Sequence, residues 1–432
     1  MNAFNIPQSN HPRVIIVGGG FGGVTLSRKL TKLQLQVVLI DQNNYHTFQP
    51  LLYQVATSGL EPDSIAFPLR GITDNQENFF FRMAQVTQVV PKKNEIETNI
   101  GKLQFDYLIL ATGTKTNYFN NQQIENASMG MKSVVESLNI RSTMLKNFEK
   151  ATITASEKER KKLMRIVISG AGPTGVELAG AFAEFKKGVV PKDYPDINPE
   201  NMEIHLIDGS DRVLSSMSEA SSKKSLKYLE KLGVNIHLNT LVKNYEDDVI
   251  STNTDLHLEA STFIWSAGVI GNHIPGIKED SFHEKTQRYR VDEYNRIMGY
   301  EFIYAVGDIA LMETDDYPKG HPQVAQPAIQ QGKNLAKNFK RLLREKPLKP
   351  FSYFDKGSMA TIGRNKAVAD VGSFTIGGFA AWFTWLAVHL YFLVGVRNRV
   401  VVFLNWIYNY FNFDRAARLI LQPERSKAAP KN

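Results

Sequence analysis

Two glycine patterns carry the chemistry of this chain. VIIVGGGFGG sets Gly18, Gly20 and Gly23 in GxGxxG spacing, and IVISGAGPTGVELAG repeats it at Gly170, Gly172 and Gly175. In such a loop the first glycine allows a tight strand-to-helix turn. The second lets the backbone approach a pyrophosphate, and the third lets the helix pack close to the strand. The helix N-terminus then offers N–H groups and the positive end of its dipole to the phosphates. One loop holds one dinucleotide, so the pair points to a flavin and a nicotinamide cofactor on one polypeptide. No cysteine occurs among the 432 residues. A redox-active disulfide, a thiolate metal site and a cysteine nucleophile are therefore excluded, and no metal site is expected.

The elements around the loops have the order such loops need. RVIIV (13–17) leads into the first, a helix-compatible run from Val24 to Lys32 follows, and the next apolar run ends at Asp41. The second loop follows a strand ending at Ser169, opens a helix reaching Lys186, and is followed by a strand ending at Asp208. A carboxylate at either strand end is placed to accept from ribose hydroxyls, and at the second it disfavours a 2′-phosphate, hence NADH over NADPH. Asp208 lies much farther beyond its loop than Asp41, because a Pro/Asn/Asp-rich stretch at 188–201 intervenes. Its assignment is weaker on spacing, and a solvated strand-end Asp is the alternative. Arg212 is close enough to soften the preference.

Three further sites are open to a structural and a chemical reading. Gly307 and Asp308 end an apolar strand, as an ordinary turn or as a carboxylate for a flavin ribityl hydroxyl. Glu177 stands in the first turn after Gly175, where the helix dipole alone favours an acid; buried, it would have a raised pKa. Gln326 and Gln330 in AQPAIQQG share one face if the segment is helical, as wet surface amides or as partners of a quinone carbonyl or the flavin rim.

Composition and the C-terminus bear on the partners. The net charge is +8, yet no basic run or nucleic-acid motif accompanies it, which favours an anionic membrane surface over nucleic acid. The polar residues 1–11 lack an apolar core and read as a disordered lead, not a secretory signal. From Phe374 to Val396 no Asp, Glu, Lys or Arg occurs; Arg397 and Arg399 follow, then the uncharged VVFLNWIYNYFNF (401–413) with Asn405, Asn409 and Asn412 as one polar stripe. A buried hairpin, a membrane span and an interfacial anchor all fit. The Trp and Tyr content and the stripe favour a helix lying at headgroup depth. A Lys-rich tail closes the chain at 425–432.

Taken together, VGGGFGG, YHTFQPLLYQVATSGL, YLILATGT, GAGPTGVELAG, WSAGV, YAVGDIA and AQPAIQQG make the chain resemble type II NADH:quinone oxidoreductases, the single-subunit, non-pumping NADH dehydrogenases, from about residue 12 to 420. LAVHLYFLVGVRNRVVVFLNW looks like the membrane-docking segment of the bacterial branch. The resemblance implies an α/β fold with two Rossmann-like domains, of the pyridine nucleotide-disulfide reductase kind without the disulfide, plus a helical docking segment. The divisions expected are an FAD-binding domain over 12–120 and 291–373, an NADH-binding domain over 121–290, and an anchoring segment over 374–432. It extends the FAD set to Phe21, Gly22, Gln49, Val86, Ala111, Thr112, Gly113 and Ala325, and the NADH set to Pro173, Thr174, Ala267 and Gly268. It makes Glu177 the carboxylate near the flavin–nicotinamide junction and puts Gln326 and Gln330 in the quinone pocket. Some members pair that Glu with a Lys near the start of the docking segment; Trp382–Leu386 contains none. The partners implied are NADH, a membrane quinone and anionic lipid, with room for a homodimer, at the cytoplasmic face of a bacterial membrane. A ferredoxin-type reductase, or a flavoprotein using NADH only as a conformational switch, is the alternative reading.

Overall fold

The computed structural model describes residues 4–73, 76–412 and 418–421; the Lys-rich tail lies outside them. The chain forms two compact units. One comprises residues 1–47, 66–115 and 269–355, and the other 48–65, 116–268 and 356–432.

The first unit is built on a five-stranded parallel sheet in the order Ile303–Ala305, Tyr107–Leu110, Arg13–Val17, Gln36–Asp41, Phe79–Met83. RVIIV is apolar at consecutive positions because both sheet faces are covered, as parallel sheets require. Val14 and Ile16 pack with Leu26, Leu335 and Phe339 of the helices Phe21–Leu30 and Ala325–Leu342. Ile15 and Val17 pack on the opposite face with Val89, Ile96 and Leu103 of an antiparallel three-stranded sheet. Gly22 and Gly332 let the two helices approach: a Cβ on Gly332 would lie 3.0 Å from the Gly22 carbonyl.

The expected disordered lead is corrected from Phe4 onward. Phe4 and Ile6 belong to the buried core, Arg82 donates to the Asn5 carbonyl at 2.7 Å, and Gln36 donates to that of Pro7 at 2.9 Å. The two apolar side chains are isolated in a polar stretch, so no periodicity announces them. The return to this unit comes at Val269, not near 291. Ile274, Ile277 and Tyr289 join its core, and Val89 N donates to Pro275 O at 2.8 Å.

The second unit repeats the plan with four parallel strands in the order Val234–His237, Ile204–Ile207, Ile166–Ser169, Thr262–Trp265. The helix Pro173–Gly188 follows its glycine loop. From Ser358 an antiparallel three-stranded sheet forms. Asp370 accepts there from Ser218 N, Ser218 Oγ and Ser221 Oγ at 2.7, 2.8 and 2.7 Å, at the start of the helix Glu219–Lys231.

The uncharged run 374–396 is not one helix. It is the strand Phe374–Gly378, the helix Phe379–Phe392 and a turn; the helix Val396–Asn412 follows. Gly378 (φ +74°) and Gly395 (φ +90°) make the two breaks in a conformation closed to most side chains. Among the described residues no helix is long and apolar enough to cross a membrane.

Candidate functional site

The two glycine loops have the same construction. Gly18 (φ +111°) and Gly170 (φ +105°) turn the chain out of the strand, and a Cβ there would lie 2.3 Å from Ala111 O or 2.7 Å from Ala267 N. A Cβ on Gly23 or Gly175 would lie 1.9 or 1.8 Å from the carbonyl of the first glycine of its loop. Around Gly20 and Gly172 a Cβ would meet nothing within 4 Å. Both middle glycines are N-caps of helices without a side-chain cap. The first and third glycines are thus required by the protein itself, while the second faces open space at a helix N-terminus, the place for an anionic ligand.

The strand-end acids also match. Asp41 accepts from Gly19 N at 2.6 Å and Asn43 N at 2.7 Å; Asp208 accepts from Ala171 N and from Ser210 N at 2.7 Å. Burial pushes the Asp41 carboxyl up, against those two donors. The longer spacing to Asp208 is taken up by the helix Pro173–Gly188, a turn of helix at Val190–Asp193 and a 3₁₀ turn at Pro199–Asn201. It does not displace the acid.

In the first unit the loop's neighbours complete a cradle. His46, read in the sequence only as part of a motif, is fully buried. Its Nδ1 lies 2.8 Å from Gly19 O, and its ring meets Phe21 edge-on. Burial holds it neutral, its pKa pushed down to about 4. After the strand Tyr107–Leu110 come Ala111, Thr112 and Gly113; Thr112 Oγ1 is buried without a partner, and Gly113 (φ +65°) faces open space. Gly307 (φ +77°) turns the chain at Asp308, whose Oδ2 accepts from Thr114 Oγ1 at 3.4 Å. Val86 opens a strand of the covering sheet. An orphaned hydroxyl and two open glycines in one unit fit a dinucleotide such as FAD.

The AQPAIQQG segment is helical, as expected. Ala325 begins the helix and Gln326 lies half-buried in its first turn. Gln330 is already engaged: it donates to Phe354 O at 2.9 Å and accepts from Phe354 N at 3.0 Å. The buried amide is Gln331, 1 % exposed, which accepts from Gly307 N at 2.7 Å. Sequence reasoning passed over it because a face pattern does not say which side is inside.

In the second unit Pro173 and Thr174 stand exposed at the helix start; Ala267 and Gly268 (φ +104°) follow the strand Thr262–Trp265. Gln49 is exposed and belongs to this unit, its amide 3.5 Å from Lys132 O. Glu177 is buried, its Oε1 accepting from Thr361 N at 3.3 Å. Burial pushes its pKa up to about 8, opposed by the Thr361 N–H. It is not an acid in a first turn: the helix begins at Pro173, so Glu177 stands in its second turn.

Residues 12–332 match the family model described as pyridine nucleotide-disulphide oxidoreductase. The twin glycine loops on parallel sheets are that class of protein, here without a cysteine. Residues 356–415 match the model of the NDH2 C-terminal domain, and the last segment of the second unit begins at 356. The chain is 34 % identical over 423 residues to the type II NADH:quinone oxidoreductase Ndh of Mycobacterium tuberculosis, covering 95 % of this chain and 90 % of that one. It is 26 % identical to the type II NADH:quinone oxidoreductase of Staphylococcus saprophyticus, over 86 % of this chain and 92 % of that one. NDH2 of Plasmodium falciparum, solved in complex with NADH, shares the fold with a TM-score of 0.88 at 23 % identity, over 96 % of this chain and all of that one. The chain belongs to the type II NADH:quinone oxidoreductase family.

Proposed function

We infer that this chain oxidises NADH through bound FAD and passes the electrons to a membrane quinone, without pumping protons. The observation that carries this is the repeated loop: two helix N-termini, each with an open middle glycine and a strand-end carboxylate, in a chain without cysteine. FAD, when bound, supplies the two-electron relay between a hydride donor and a quinone. Gly18–Gly23, Asp41, Thr112, Gly113 and Asp308 would hold it. Gly170–Gly175 and Asp208 would hold NADH, the carboxylate repelling a 2′-phosphate.

The overall reaction converts NADH, one proton and quinone to NAD⁺ and quinol. The hydride supplies both electrons, and the remaining proton must come from an acid. Glu177, with a pKa of about 8, is protonated at pH 7 and is assigned that role. The test of the reaction class is the visible spectrum of the purified protein. Flavin bands should bleach on NADH and return on quinone; bands that bleach and do not return would instead mark the switch reading.

The quinone step assigns roles to two amides. Gln326→Ala should slow flavin reoxidation by quinone about tenfold, the loss of one hydrogen bond, and leave bleaching by NADH unchanged in stopped flow. Gln330→Ala breaks both bonds to Phe354, so its larger effect should be a lowered Tm.

The membrane surface is the C-terminal pair of helices. On Val396–Asn412 the side chains of Val400, Phe403, Leu404, Ile407, Tyr408 and Phe411 are exposed, Phe411 by 74 %. The polar side is turned inward: Trp406 donates to Gln54 Oε1 at 2.8 Å, Asn409 to Gly59 O at 3.0 Å and Asn398 to Asp63 O at 3.3 Å. An exposed apolar face this continuous marks an interaction surface. The lipid-borne substrate, the flanking Arg397 and Arg399 and the net charge of +8 commit it to an anionic bilayer surface. Replacing Phe403, Ile407 and Phe411 together by Ser should lower partition onto anionic vesicles at least about tenfold. Turnover with a water-soluble acceptor should be unaffected. Truncation from Gly377 is a poorer test, since it also removes Trp385 and Ala381 from the core.

A further inference from the structure

The helix Val396–Asn412 carries exposed Tyr408 and Phe411 where it ends. An apolar side chain enters lipid readily, but the carbonyls that end a helix do not. Among the described residues no helical N–H follows to take them, and away from water each needs a donor from elsewhere. The second unit supplies such donors. Arg364 gives Nη1 to Tyr410 O at 2.6 Å and Nη2 to Asn409 O at 2.8 Å, its guanidinium 5.3 Å from the centre of the Tyr410 ring. Lys192 Nζ donates to Asn412 O at 3.2 Å. The Tyr410 ring also meets Trp382 of the helix Phe379–Phe392, 5.6 Å between centroids.

Arg364 is itself held in place. It stands in the turn between the strands Ser358–Thr361 and Ala367–Val371, where Ile362 N donates to Lys366 O at 2.8 Å. Its own N–H donates to Glu184 Oε1 on the helix Pro173–Gly188. Gly180 lets that helix and the turn approach, since a Cβ there would lie 2.8 Å from Gly363 N. Lys192 belongs to the Pro/Asn/Asp-rich stretch that lengthens the second glycine-loop unit, which gives that insertion a use.

We propose that Arg364 is a positioning residue for membrane docking: its guanidinium, with Lys192, satisfies the last-turn carbonyls of the helix Val396–Asn412 and lets that end of the helix lie against lipid. The proposal rests on the reading of this helix as the bilayer-facing surface. A planar guanidinium serves two adjacent carbonyls at once, which a single ammonium does less well, and a cation at a helix C-terminus is favoured by the dipole. If the clamp were lost in water, the freed carbonyls would be hydrated. Against lipid they would be left bare. The side chain therefore acts on docking, while the Arg364 N–H to Glu184 belongs to the backbone and survives any substitution.

The test uses FAD-loaded full-length enzyme and co-sedimentation with phosphatidylglycerol vesicles at low and high salt. Arg364→Met should lower partition about tenfold, the equivalent of one to two hydrogen bonds, and Arg364→Lys by about threefold. Flavin content and turnover of a water-soluble quinone should stay native in both. The fold-loss should persist in high salt, where attraction between exposed charges is screened. A loss that vanishes in salt makes Arg364 a surface charge only and overturns the clamp. Native partition in Arg364→Met, beside lowered partition in the Phe403, Ile407 and Phe411 triple variant, overturns the clamp and leaves the docking surface standing. Native partition in the triple variant overturns the docking reading and the proposal with it. A second measurement needs no substitution. In the native enzyme without vesicles, hydrogen exchange at the amides of residues 408–412 should be slow, because the clamp is already closed; exchange as fast as in an open chain overturns the proposal.

Discussion

Gly20→Val should purify folded and without flavin. The protein leaves the space beyond Gly20 empty of its own atoms to 4 Å, so the added side chain meets no backbone and the unit can fold around it. What it meets is the ligand. The second glycine is where the chain must approach the pyrophosphate, and a valine there displaces the phosphates from the helix N-terminus. FAD binding should weaken on the order of a hundredfold, about 3 kcal/mol. Absorbance near the flavin bands per mole of protein reads the loss, and circular dichroism reads the fold. Gly18→Ala is the contrasting control. Its Cβ would lie 2.3 Å from Ala111 O at a φ of +111°, so it should lower Tm before it affects binding. Stoichiometric FAD in Gly20→Val would show that the first loop does not hold it.

Gly172→Val should give the complementary result: a yellow enzyme that NADH hardly reduces. The same open space lies beyond Gly172, at the head of the helix that carries Glu177. The first unit, which contains the FAD residues of the glycine loop, is untouched. Bleaching by NADH in stopped flow should slow on the order of a hundredfold at subsaturating NADH. Reoxidation of chemically reduced enzyme by quinone should keep its native rate. Loss of flavin in this variant, or normal bleaching, would reverse the assignment of the two loops.

Much of this architecture is legible without coordinates, and the reason is locality. Strand, glycine loop, helix, strand and acid form one continuous stretch. The steric demands at Gly23 and Gly175, set by the first glycine of the same loop, are written within it, whereas those at Gly18 and Gly170 come from Ala111 and Ala267, each just past another strand. The absence of cysteine needs no fold to be read. Asp208 shows the limit of spacing: inserted turns lengthened the loop and left the acid where Asp41 stands in the first unit.

Faces and long-range neighbours were decided only in three dimensions. The Asn stripe of the last helix announces two faces, and in water the polar one would point outward. Here Asn409 of the stripe bonds Gly59 O while Asn412 is exposed, and the apolar side is exposed as well, because the medium proposed for that surface is lipid. The same ambiguity hid Gln331 beside Gln330. Phe4 and Ile6 found the core from a segment too short for any period. Sequence by itself determined two dinucleotide loops, their acids and the absence of cysteine from this chain. Tertiary structure decided that Glu177 is buried and accepts from Thr361 N, since a carboxyl's burial depends on what distant segments place over it.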